Sequence, residues 1–254
     1  MADEWVETGP GFWNIRGSLK LAGFLEVGTQ MSAVRLSTGK FALLDSYTPD
    51  PATQRRLLEL TDGGNAVESV VNLHPFHTLH VAALAELFPN AKLYGTARHV
   101  ARFPQLNWEK TRTESSALGE LFSEDLKFSV PAGVDFVPQN QRLHFASVLA
   151  FHPASGTLHV DDTLTWINLP LIGGLRFHPA LPGVLQRRPG AVREFRAWLS
   201  ELRTLFAEVK TVCPAHMKTP PPNDGQWQRR LDRAIGQIDE ILDRHERKYG
   251  SLVR

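Results

Sequence analysis

The stretch VVNLHPFHTLHV at residues 70–81 holds His74, His77 and His80, three of the chain's ten histidines. They fall between the apolar run Val70–Leu73, which reads as a buried strand end, and a helical pattern over Val81–Phe88. Neutral imidazole ligates zinc and its neighbours, and a strand end holds a side chain still, so the spacing points to a metal. A lone histidine here would more often cap or pack; a run of them argues for a shared task. Four other places echo the cluster. His152 follows a strand in FHPASGTLHVDD, Asp161 and Asp162 end the next strand, His178 lies in a Gly/Pro-rich loop, and His216 closes the strand of TVCPAH. Functional side chains of α/β sheets gather at one end of the strands, and a shared metal site is the simplest account of these positions. Neighbouring side chains of a strand face opposite ways, so only one of Asp161 and Asp162 is expected to enter the site. His144 and His159 fall within expected strands and His245 on the apolar stripe of a helix, so all three read as structural, and His99 leans the same way.

Such residues need elements to carry them. Short strands are expected at Phe12–Arg16, Met31–Leu36 and Phe41–Leu44, with Ser37-Thr38-Gly39-Lys40 as a hairpin turn and Asp45 just beyond the last strand. Asp50 and Pro51 open a helix to Leu60. The alternation then repeats: strand Ser69–Leu73, a helix to Phe88, strand Lys92–Tyr94 and helix Ala97–Phe103. Gln105–Phe128 reads as loop and short helix. Strands return at Val134–Val137, Leu143–Ala146, Ser147–Phe151 and Thr157–Val160, followed by a loop over Leu169–Arg188. Pro189 opens an amphipathic helix with Val192, Phe195, Trp198, Leu199, Leu202, Leu205 and Phe206 on one face. After strand Thr211–Cys213 and the Pro220-Pro221-Pro222 linker, Asn223 or Asp224 caps a last helix that ends at Gly250. The βα alternation predicts an α/β fold with a helix-covered sheet, and no boundary divides the chain, which reads as one domain over residues 1–254.

Composition narrows the function classes. A net charge of +1, with no run of basic residues interleaved with aromatics, gives no sign of a nucleic acid or an acidic membrane as partner. The start, MADEWVETGPGF, lacks the apolar core of a secretory signal, and no run is long enough to span a bilayer. Cys213 is the single cysteine, which excludes an intrachain disulfide and fits a cytoplasmic location; its apolar surroundings predict a buried, inert thiol. The partners expected are a small-molecule substrate and, as an option, a second copy of the chain in a homodimer.

In the order of its landmarks the chain resembles the metallo-β-lactamase superfamily over nearly its whole length. FALLDSYT looks like that family's strand ending in Asp, VVNLHPFHTLH occupies the place of its HxHxDH signature, FHPASGTLHVDD is similar to its later His, turn and Asp-ended strand, and TVCPAH to its last strand with a terminal His. The resemblance implies a four-layer αββα sandwich with the site at one edge of two sheets. Matched from the end of the signature, His77 and His80 stand at its second and third His, Pro75 at its first His and Leu79 at its Asp. His74, one position from Pro75, is a substitute. His152 matches the later His, Asp162 the metal-bridging and catalytic carboxylate, and His216 the terminal His. The metal ligands implied are therefore His74, His77, His80, His152, Asp162 and His216.

The cofactor expected is zinc, as one or two ions, with iron or manganese as alternatives. Leucine at position 79 cannot ligate a metal or orient a water, so a single ion is better served than two. The function expected is a metal-dependent hydrolase using a metal-activated water on an ester, amide, lactone or phosphoester. A binding or regulatory relic of the same fold, and an iron-dependent redox protein, are the alternatives. Protein purified without added metal should contain zinc, iron or manganese by elemental analysis; under about a tenth of an equivalent, with none restorable, would sink the metal reading.

Overall fold

The computed structural model describes residues 2–21, 25–167, 173–216 and 225–251. Strands β1 (Glu4–Gly9) and β2 (Phe12–Gly17) form a hairpin, and the short strands β3 (Lys20–Leu21) and β4 (Leu25–Glu26) pair with each other. Strands β5 (Thr29–Arg35) and β6 (Phe41–Leu44) are joined by the expected turn, in which Gly39 takes φ +84°, a conformation glycine adopts without a Cβ clash. Helix α1 (Pro51–Leu60) starts where the sequence says it should: the Asp50 carboxylate accepts from Ala52 N–H at 3.0 Å and Thr53 N–H at 2.8 Å. A 3-10 turn at Asp62–Gly64 leads to β7 (Val67–Val71), α2 (Val81–Leu87), β8 (Lys92–Tyr94), α3 (Ala97–Arg102), α4 (Ser116–Leu121) and β9 (Lys127–Ser129). The second half holds β10 (Leu149–His152), β11 (Thr157–His159), β12 (Leu164–Ile167), β13 (Gly174–Phe177), α5 (Leu181–Val184) and α6 (Ala191–Leu205). It ends with β14 (Thr211–Cys213), α7 (Trp227–Gly236) and α8 (Asp239–Tyr249).

Two sheets carry the fold, one in the order β1-β2-β5-β6-β7-β8 and one in the order β14-β11-β10-β9. Period-two alternation sorts their side chains into layers. Ile15, Met31, Ala33, Leu43 and Val70 point outward from the first sheet onto Leu57 of α1 and Leu84 of α2. Phe12, Val34, Ala42, Leu44 and Val71 point inward and meet Val148, Ala150 and Cys213 of the second sheet's layer. The outer face of that sheet, with Leu149, Phe151, Leu158 and Val212, packs under Phe195, Trp198 and Leu202 of α6 and Leu231 of α7. The order is helix, sheet, sheet, helix: an αββα sandwich. Each fully buried Leu or Phe in these layers contributes roughly 1.5–3 kcal/mol, which is why the inner strands read as nearly continuous apolar runs.

Part of the inter-sheet layer is polar. Asn14 and Arg16 of β2 lie opposite Ser32 and Gln30 of β5. Arg16 donates to Pro214 O at 2.9 Å, and the Gln30 amide donates to Val160 O at 2.8 Å and Cys213 O at 2.9 Å. The sheets are therefore tied together by hydrogen bonds within their strands as well as by apolar contact.

Several expectations are corrected. Leu143–Ala146 is not a strand but an irregular approach to β10, and Val134 makes only an isolated bridge to Leu185. The expected loop at Leu169–Arg188 contains β13 and α5, built on the hairpin of β12 with β13. The last helix is two helices, α7 and α8, broken around Gln237 and Ile238. The proposed caps Asn223 and Asp224 and the linker Pro220-Pro221-Pro222 lie outside the described residues, as does part of the loop after β12. No helix among the described residues is long and apolar enough to cross a membrane.

Cys213 is fully buried, and burial pushes its thiol up to about 11 from an ordinary value of 9. The folded chain thus keeps a proton that the unfolded chain releases first, so this group lowers stability as pH rises from 9 towards 11. Iodoacetamide at mildly alkaline pH should leave the native protein unmodified and alkylate one thiol per chain in denaturant, as read by intact mass.

Candidate metal centre

Strands β6 and β7 run parallel, as do β11 and β14, so their C-terminal ends come together at one edge of the two sheets. Asp45 follows β6, His74 and His77 follow β7, Asp161 and Asp162 follow β11, and His216 follows β14. Strand β10 is antiparallel to β11, so its N-terminal approach, with His144, arrives at that same edge.

Asp162 is the hub, at 2% exposure. His216 Nε2 stands 2.9 Å from its Oδ1; His74 Nε2, His77 Nε2 and His144 Nδ1 stand 3.3, 3.6 and 3.9 Å from its Oδ2. The other ring nitrogens decide the tautomers. His216 Nδ1 lies 3.0 Å from Gly28 O and His144 Nε2 lies 3.2 Å from Gln141 O; a carbonyl only accepts, so each of these nitrogens carries the hydrogen. His77 Nδ1 faces Asp161 Oδ1 at 3.5 Å, which likewise assigns that hydrogen to Nδ1. In their neutral forms all three rings therefore turn a bare nitrogen towards Asp162, an arrangement of mutual repulsion unless a cation or a proton lies between. His74 differs: its Nδ1 accepts from Phe76 N–H at 3.2 Å, so the neutral ring's hydrogen is on Nε2 and aims at Asp162. The Phe76 ring stacks on His144 at 4.4 Å and 13°, fixing that imidazole's plane.

Beneath this layer lies a second one. Asp45, in the left-handed conformation at φ +59°, accepts from Leu73 N–H at 2.8 Å and pairs with His159 Nε2 at 2.9 Å. His159 Nδ1 meets Ser32 Oγ at 3.0 Å, joining the site to the polar inter-sheet layer. Asp161, 1% exposed, has no hydrogen-bond partner on either oxygen among the described residues and faces His77 and His159 as charge partners. Burial alone would raise Asp161 and Asp162, but the surrounding imidazoles hold both well below the usual carboxylate range. Asp45 goes the other way, raised to about 6 by burial and by the nearby Asp161 charge. Burial lowers His74 to about 3, keeping it neutral, whereas Asp161 and Asp45 outweigh burial at His159 and lift it to about 9.

One donor atom each from His74, His77 and Asp162 lie within 4.8 Å of one another, as do donors from Asp45, His77 and Asp161. Buried oxygens without a hydrogen-bond partner among the described residues include Asp162 Oδ1 and both Asp161 oxygens. Imidazoles and carboxylates in this ratio suit zinc, iron or manganese, so the residues present fit a divalent cation.

The whole chain, and not only its edge, matches known structures. The metallo-β-lactamase DIM-1 has a TM-score of 0.61 at 14% identity, with 96% of this chain and 98% of that one covered. A metallo-β-lactamase from Erythrobacter litoralis gives 0.61 at 14%, covering 92% and 96%. This chain has the metallo-β-lactamase fold. The FIM-1 enzyme of Pseudomonas aeruginosa, solved in a mono-zinc form, gives 0.59 at 14% over 94% and 96%. In sequence, no protein-family model and no curated protein matches.

Within the metallo-β-lactamase fold, the residues singled out by sequence separate into two groups. His74, His77, Asp162 and His216 come together. His80 does not: its Nδ1 bonds Thr48 Oγ1 at 3.0 Å and its ring lies against Tyr47. His152 is at the opposite end of the β10–β11 hairpin, paired with Thr157 and bonded to Ser155 Oγ at 2.9 Å. His144, read as structural from sequence, is the histidine at the Asp162 edge. The hairpin itself held the signal: HPASG is the turn, so the residues flanking it are far from the end of the second strand, and the start of the first strand is near it. His159 and Asp45 also belong to the site, as buried partners. Both Asp161 and Asp162 enter, because β11 ends at His159 and strand alternation no longer separates them. His99 caps α3 through Thr96, and its Nε2 meets His77 O at 3.3 Å. His178 bonds Ala180 N–H and makes no ion pair with the carboxylates among the described residues.

A cavity of about 560 Å³ opens onto His77, His144 and His216, with Phe76 and Leu79 in its wall. Leu79 is 73% exposed, the most of any large apolar side chain among the described residues. In protein loaded with zinc, dialysed and assayed for metal, His144→Ala should retain less than the parent chain and His152→Ala as much. His74→Ala, which removes the ring 3.3 Å behind the Asp162 carboxylate, should weaken binding by about 10–100-fold, the usual effect of losing an outer partner.

Proposed function

We propose that the chain is a metal-dependent hydrolase with one divalent cation, zinc first among candidates, held by His77 Nε2, His144 Nδ1, His216 Nε2 and the Asp162 carboxylate. One observation carries this reading. Each of the three imidazoles commits its second nitrogen to an oxygen, of Asp161, Gln141 or Gly28, and leaves the first facing Asp162. Metal-ligating histidines are held in just this way by their outer partners. The mono-zinc form of the FIM-1 enzyme, similar in fold, supports a single-ion site. Iron or manganese would be accepted by the same donors.

When bound, the cation supplies Lewis acidity to a carbonyl or phosphoryl oxygen and lowers the pKa of a coordinated water. The chain's own residues do the rest. Asp162 is placed to orient that water and take part of its hydrogen-bonding load, His74 holds Asp162 from behind, and Asp161 fixes the ring of His77. The half-enclosed cavity limits the water that reaches the centre and leaves room for a small ester, amide, lactone or phosphoester. In the net reaction the water oxygen bonds to the acyl or phosphoryl centre, the ester or amide bond breaks, and one proton ends on the departing alcohol or amine.

Leu79 favours a second reading, a protein that binds a ligand without turning it over, because no carboxylate stands at that position to share a second ion. Turnover separates the two. Protein reconstituted with zinc, iron or manganese should hydrolyse at least one of a set of activated esters, amides, lactones and phosphoesters. Asp162→Asn should lower kcat/KM by more than about 100-fold while the fold persists. Tight metal binding without turnover by any reconstituted form would leave the binding protein as the answer.

A further inference from the structure

His144 is the least supported of the imidazoles around Asp162. Its side chain is 42% exposed, against 0%, 22% and 34% for His74, His77 and His216. It arrives on an irregular segment and not on a strand, and its Nε2 bonds Gln141 O, three positions back in the same turn. An imidazole held so locally can still turn about its own bonds and loses that freedom on binding a cation, so a support from another element raises affinity. The Phe76 ring, stacked on His144 at 4.4 Å and 13°, is such a support.

Phe76 is only half-buried, in the loop between β7 and α2, and its ring is held in turn by Arg98. The Arg98 Cζ lies 4.5 Å from the ring centroid. Its Nε is buried and makes no hydrogen bond among the described residues, so the face of the ring meets the guanidinium where an acceptor would otherwise stand. The backbone beneath Arg98, the second residue of α3, is fixed. Thr96 N–H donates to His99 Nδ1 at 3.2 Å, which leaves the neutral ring's hydrogen on Nε2 for His77 O at 3.3 Å. The first turn of α3 therefore grips the histidine loop twice, at Phe76 and at His77. Phe76 and His144 line the cavity and Arg98 does not, so the guanidinium reaches the ring from outside it.

We propose that Arg98 is a positioning residue of the metal centre, ordering the imidazole of His144 through the ring of Phe76. The proposal rests on the hydrolase reading for what His144 holds, but not for the order of the stack. An aromatic face is negative; it attracts the guanidinium and, equally, an imidazole made electron-poor by a cation on Nδ1.

Two measurements test it. In metal-free protein, NMR reads the ring-current shift that Phe76 imposes on the His144 ring protons, which are assigned by their loss in His144→Ala. Phe76→Leu gives the value without the ring while keeping the N–H that bonds His74 Nδ1. Arg98→Gln, which keeps a good helix former in α3, should move the shift about a third of the way to that value, and Arg98→Lys, which keeps the charge, should move it less. Competition with a chromophoric chelator then reads zinc affinity. Phe76→Leu should weaken zinc about tenfold and Arg98→Gln about threefold, and the double variant should stay within about twofold of Phe76→Leu, since without the ring the guanidinium has nothing to act through. An unmoved His144 shift in Arg98→Gln, or losses that multiply in the double variant, overturns the proposal. Zinc bound as tightly by His144→Ala as by the parent chain counts against the metal reading of His144 and leaves the NMR result standing.

Discussion

Three carboxylates, Asp45, Asp161 and Asp162, sit at one edge of the sandwich with almost no contact with water. Burying an ionised carboxylate without compensation costs several kcal/mol per group, more than any single contact in the layers around it returns. The histidines answer that constraint. His159 lies between Asp45 and Asp161, and His77 between Asp161 and Asp162. His216 and His144 close the outer side of Asp162. Charge and counter-charge alternate from the inter-sheet layer, through Ser32 and His159, out to the cavity. The positive φ of Asp45 fits this picture, since a strained backbone persists where surrounding bonds over-determine it, and its carboxylate is held by Leu73 N–H and by His159.

Much of this was legible in the sequence, and the limits have physical causes. The turn at Ser37–Lys40, the cap of α1 and the apolar stripe of α6 depend on near neighbours, and all three form as read. So did the gathering of His74, His77, Asp162 and His216 at strand ends, which depends on sheet order alone. The match of His152 to the family's later His does not bring it to Asp162: the direction of the antiparallel strand puts His152 at the far end of the hairpin and His144 at the Asp162 edge. The irregular stretch before β10 also hid His144, because its alternating apolar residues look like a strand while its backbone is committed to a turn at Asn140 and Gln141. The pairing of His159 with Asp45 across 114 positions has no local signature at all.

The likeness to known metallo-β-lactamases is one of scaffold at low identity, and the side chains at the edge are ordered by this chain's own loops. Phe76 illustrates how one residue of the loop serves two histidines: its N–H bonds His74 and its ring stacks on His144. An apolar ring here still orders imidazoles. Order at a site therefore need not come from ligands alone, and the loop after β7 supplies it through backbone and stacking.

The two sheets are tied within their strands, at Arg16, Gln30 and Ser32, and again at the histidine edge, where Asp45 pairs with His159 and Val148 N–H donates to Leu73 O. A side chain such as Leu79 contributes little to the packed layers, so its replacement by a carboxylate is a local exchange that the sandwich would scarcely register. The donor set at this edge can therefore be altered one loop residue at a time while the layers beneath keep their packing, which makes the edge open to change by natural drift or by deliberate grafting.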